Sequence, residues 1–150
     1  MSGEDVVVTR ADKEALIRQS IEKMGDVKKV LIMPPDFTRF HSNAGELSAI
    51  YYNLFTEAGI HVDLLPALGT HFEMTAEEID KMFGRDIPKD RFLYHDWRNG
   101  ITRLGTVPGE KLKVLSEGNV DYTIDIEVDN AILDESYDLI LSIGQVVPHE

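Results

Sequence analysis

The sequence predicts an α/β fold built on a parallel or mixed sheet flanked by helices, and three observations lead there. Short β-rich apolar runs alternate with segments whose apolar residues recur at helical spacing. The order of the first four segments is strand, loop, helix, strand, loop, helix, the pattern of a parallel sheet with crossover helices. Reactive side chains then stand just past three of the apolar runs, where ligands gather in such sheets. With 150 residues the chain can bury a sizeable core but is too short for two ordinary domains, so it reads as one compact unit.

Each element has its own grounds. "VKKVLIMPP" (27–35) is a short apolar run closed by two prolines and reads as a buried strand. From Ser42 onward, Leu47, Ile50, Tyr51, Leu54 and Phe55 recur at helical spacing, with Asn43 and Glu46 as a capping pair and Gly59 as the stop. "HVDLLPALG" (61–69) reads as a second strand, and 75–84 as a second helix opened by a Thr75/Glu78 capping box. "RFLYHDW" (91–97) reads as a strand. Residues 112–133 alternate enough for one or two more, with a turn at Gly118 and Asn119. "YDLILSIG" (137–144) is a last apolar strand, followed only by "QVVPHE". A buried parallel strand needs a covering helix. The chain is therefore expected to be the N-terminal part of something longer, and by itself either to self-associate through the uncovered face or to be disordered after about Gly144.

Composition narrows the function. A formal charge of -12 argues against a nucleic-acid backbone as partner, because phosphate binding needs a Lys/Arg surface. No apolar run approaches the roughly eighteen residues of a membrane helix. The start, "MSGEDVVVTR", is acidic where a secretory signal is basic and then apolar, so the cytoplasm is the expected location. With no cysteine, a metal bound within this chain would need His or carboxylate ligands. There is no Walker A loop, G-x-G-x-x-G, H-E-x-x-H or G-x-S-x-G.

The strand-end residues are Asp36, Thr38 and Arg39 in "PPDFTRF", Gly69, Thr70 and His71 in "LGTH", and His149. Each has a bland reading. Asp36 could bond turn amides with Arg39 as a solvated ion pair, "GTH" could be a turn before a surface histidine, and His149 could simply be exposed. Their convergence on one sheet edge is the signal. Among the other histidines, His41 reads as opening a helix, His61 as packed or exposed, and His95 as either an oriented acid/base pair with Asp96 or a structural anchor beside Trp97.

"PDFTR", "ALGTHFEMTAEEI", "HDWRN", "LGTVPGEKLKV" and the strand leading to "PHE" occur in this order over residues 30–150, and together they resemble the N-terminal domain of the lactate racemase (LarA) family. The resemblance implies a Rossmann-like N-terminal domain of a two-domain enzyme with its active site between the domains. It implies racemisation or epimerisation of a 2-hydroxy acid by hydride transfer to a nickel-pincer nucleotide cofactor and back. His71 and His149 would be the two acid/base residues and Arg39 the clamp on the substrate carboxylate. Asp36, Thr38, Gly69 and Thr70 would shape the cofactor and substrate pocket. Inverting a carbinol requires the hydroxyl proton to be taken with substrate in either orientation, which is why two bases should flank one pocket.

Two departures qualify the expectation. Phe37, Phe40 and Glu73 stand where the lactate-type pattern often has His, Pro and Pro, so the substrate need not be lactate. The family's cofactor-attachment lysine and nickel-ligand histidine would lie beyond Glu150, so the isolated chain is expected to be inactive. The alternative is a non-catalytic α/β ligand-binding or interaction module.

Overall fold

The computed structural model describes residues 7–146. His149 lies outside the described residues. The chain folds as two compact units, residues 7–94 with 136–146 and residues 95–135.

The first unit is α/β. Its sheet contains β1 (Lys29–Met33), β2 (His61–Leu64) and β5 (Leu139–Ser142), all parallel, in the order β2-β1-β5. Register places Val30 beside Val62 and Leu139, and Ile32 beside Leu64 and Leu141. These alternate residues form one apolar face, which packs with Ala49, Tyr52 and Phe55 of α2 (Ala44–Glu57) and Met82 and Phe83 of α3 (Ala76–Phe83). Phe55 is fully buried there, a contribution of about 1.5–3 kcal/mol relative to an exposed ring. The other face carries Leu31, Asp63 and Ile140.

An N-terminal helix that the apolar pattern had not suggested, α1 (Arg10–Ile21), lies on α2 through Ile17 against Ile50 and Leu54. A Thr9/Asp12 capping box starts it, and Lys13 pairs with Glu46 at 2.5 Å. That ion pair takes the glutamate expected to cap α2. Asn43 is instead left-handed (φ 59°) with no side-chain cap bond, and Ser42 Oγ accepts from the Ala44 amide at 3.2 Å. The Thr75/Glu78 box of α3 forms as expected.

Residues 91–97 are not a strand. Only Phe92 bridges to Leu64. Beyond it, the Asp96 carboxylate gathers the amides of Arg98 and Asn99 into a turn.

The second unit pairs β3 (Ile101–Val107) antiparallel with β4 (Ile124–Asp129). Within 112–133, where one or two strands were expected, the first half is helical instead. Leu112–Leu115 close α4 (Gly109–Leu115), and the turn falls at Glu117 and Gly118, both at positive φ. Among the described residues, no helix is long and apolar enough to cross a membrane.

Candidate active site

The site grows from the way β1 and β2 end. Past the strands the two chains remain side by side: the Leu65 amide donates to Ile32 O at 2.8 Å and the Ala67 amide to Pro34 O at 2.8 Å, with Pro35 and Ala67 forming a last parallel bridge. The loop after β2 then reverses at Gly69, whose φ of 58° suits a residue without Cβ. The turn closes with the His71 amide donating to Leu68 O at 3.0 Å. His71 is thereby delivered next to the first residue after the Pro-Pro pair.

That residue is Asp36. Its carboxylate is buried, with 8% of the side chain exposed, whereas the His71 ring is 59% exposed. His71 Nδ1 lies 2.5 Å from Asp36 Oδ2. The other oxygen, Oδ1, accepts from the Thr38 amide at 3.1 Å and from Thr38 Oγ1 at 2.5 Å. The same bonds cap the short 3-10 segment Phe37–Ser42, which carries Arg39. Burial pushes the Asp36 carboxyl up. The bonds from Thr38 and His71, with the charge of His71, outweigh burial and hold it below the usual carboxylate value.

Asp36, Thr38, Arg39, Gly69, Thr70 and His71 line one open hollow of about 550 Å³. Six of the seven residues singled out from the sequence thus share a surface, and the seventh, His149, lies outside the described residues. What the sequence did not disclose is the bond between Asp36 and His71, since the two residues are far apart along the chain. The only hint was that each follows a strand.

Phe37 and Phe40, two of the three departures from the lactate-type pattern, lie with ring centroids 5.4 Å apart and planes tilted by 37°, and Lys81 Nζ lies 5.4 and 5.3 Å from their rings. Phe37 also packs on the core.

The other described histidines behave differently. His61 Nε2 lies 2.8 Å from Asp63, on the sheet face that carries Leu31, with Arg91 and the Tyr137 hydroxyl on the same carboxylate. His95 bonds Asp129 rather than its neighbour Asp96, with Nδ1 2.7 Å from Oδ2. Asp129 also caps the following 3-10 turn, which makes His95 an anchor of the second unit. His41 is exposed at the end of the Phe37–Ser42 segment.

The family model described as the lactate racemase N-terminal domain matches residues 4–150. The chain belongs to that family. The resemblance read from the ordered sequence segments is therefore borne out. A comparison with curated proteins finds no match. Among solved structures, the lactate racemase-type fold of this chain is similar to a structural-genomics crystal structure of a Thermotoga maritima protein, with a TM-score of 0.84 at 28% identity. The match covers 100% of this chain and 36% of that one, so the chain spans about a third of the length of the protein it matches.

Proposed function

We propose that the chain is the N-terminal part of a racemase or epimerase acting on a 2-hydroxy acid. The observation that carries this reading is the common hollow, in which an oriented histidine and an arginine stand together on the carboxyl edge of a parallel sheet. Arg39 binds the substrate carboxylate through its planar guanidinium. His71 takes the hydroxyl proton from one hand of the substrate and His149 gives a proton to the other hand, with the roles exchanged in the reverse direction.

A nickel-pincer nucleotide is the cofactor this family membership suggests, and the described residues fit its organic part. A Cβ placed on Gly69 would meet nothing within 4 Å, so a group can lie close against the backbone there. Among the described residues no cluster of three or more His, Cys, Asp or Glu could hold a metal ion by itself. When bound, the cofactor supplies a hydride acceptor at the carbinol carbon. Thr38, Gly69 and Thr70 would then shape its pocket, and Arg39 would keep the substrate carboxylate in the site while the rest of the molecule turns to present its other face.

The test is Arg39→Lys in the full-length, cofactor-loaded protein, with the 150-residue chain as an expected inactive control. An ammonium cannot make two parallel bonds to a carboxylate, and loss of orientation of this kind costs about 10²-fold in turnover. Nickel content should be unchanged. Wild-type turnover and Michaelis constant in the variant would remove Arg39 from the substrate site and return the chain to the class of non-catalytic ligand-binding modules.

A further inference from the structure

We infer that Asp36 is a positioning residue that fixes the tautomer of His71, so that Nε2 is the atom that exchanges the substrate's proton. The inference rests on the function proposed above and names the atom that performs it.

The argument starts from donors and acceptors. An ionised carboxylate only accepts. Oδ1 of Asp36 is already taken by two donors from Thr38, which leaves Oδ2 for His71 Nδ1 at 2.5 Å. Nδ1 must therefore carry the proton, and in the neutral ring Nε2 keeps its lone pair. The contrast in exposure between the two side chains puts the anchor in the protein and leaves the ring accessible.

A purely structural clamp between the two loops is the competing explanation. The backbone already supplies that clamp through the Leu65-to-Ile32 and Ala67-to-Pro34 bonds, so the side-chain bond is not required to hold the loops together. Asp36 also caps the segment bearing Arg39. One carboxylate thus sets both the base and the turn that presents the carboxylate clamp.

Thr38 makes the idea sharply testable. In Asp36→Asn the two Thr38 donors demand the amide oxygen at the Oδ1 position, which turns the amide NH2 toward His71. Nδ1 must then accept, and the proton moves to Nε2. The variant is nearly isosteric but inverts the tautomer, whereas Asp36→Ala should leave it unbiased.

Long-range proton-nitrogen NMR of the 150-residue chain at alkaline pH, with the imidazole neutral, reads this directly. The expected result is an Nδ1–H ring in the wild type and an Nε2–H ring in Asp36→Asn. A wild-type proton on Nε2 overturns the inference whether or not the variants fold. In the full-length enzyme, kcat of Asp36→Asn should fall by about 10²-fold or more with little change in KM, the loss of a working general base. A racemase whose kcat survives Asp36→Asn overturns the inference and leaves the proposed function standing. A wild-type protein that racemises no 2-hydroxy acid sinks that function, while the tautomer result still stands or falls on its spectrum.

Discussion

Replacing Gly45 with alanine sets two effects against each other, and the packing decides the sign. Gly45 lies in the first turn of α2, where alanine would ordinarily gain up to about 1 kcal/mol from helix propensity. The added Cβ, however, would stand 2.2 Å from the Met82 carbonyl oxygen, 2.6 Å from Met82 Cγ and 2.9 Å from Met82 C. The closest atom is backbone of α3, so no rotamer change relieves it. To reach an ordinary separation of about 3.5 Å, α2 and α3 must part by about 1 Å. Because the clash is with backbone, the overpacking cost falls in the upper part of the usual range, about 2–3 kcal/mol; less about 1 kcal/mol of propensity, Gly45→Ala should be destabilising by about 1–2 kcal/mol. For a chain of this size that is about 2–4 °C in Tm per kcal/mol. Urea unfolding followed by far-ultraviolet circular dichroism measures it. Gly105→Ala is the control, because a Cβ there meets nothing within 4 Å, and its change should stay within about 0.5 kcal/mol. A Gly45→Ala protein as stable as the wild type would mean that α2 and α3 do not approach as closely as described.

Two further outcomes are expected. Burial pushes the Asp63 carboxyl up, but the Tyr137 hydroxyl, His61 and Arg91 more than offset it and hold it below 3.8; a depressed pKa gives stability that is present above pH 3.8 and lost as pH falls through the folded value. Tyr137→Phe should therefore cost about 1–3 kcal/mol at neutral pH, and its gap from the wild type in urea unfolding should shrink in acid; a gap independent of pH would contradict this. The second unit exposes Leu104, Val114, Leu115, Tyr122, Ile124 and Ile126, more apolar surface than a two-stranded hairpin usually leaves open. Light scattering of the 150-residue chain should report a mass above the monomer's 16.9 kDa, and a strictly monomeric chain at high concentration would count against it.

The sequence by itself determined the α/β class, the three parallel strands, α2, α3 and the family, because these rest on local signals. Period-2 and period-3.6 apolar runs, the Thr75/Glu78 box and glycines at Gly59 and Gly84 act within a few residues, and the structure keeps them. It also placed the reactive residues at strand ends, since Pro34 and Gly69 mark where chains must turn. Tertiary structure alone decided the rest. Glu46 could cap α2 or pair with Lys13, and only the docking of α1 chose the ion pair. Residues 91–97 had the composition of a strand, but one bridge to Leu64 and the Asp96 turn took the place of a ladder. The bond from Asp36 to His71 depends on two parallel strands in register and a left-handed Gly69 bringing distant residues to 2.5 Å. No local pattern encodes that meeting, because its driving force is the burial of Val30, Ile32, Val62 and Leu64 against α2, which fixes the strand ends from a distance.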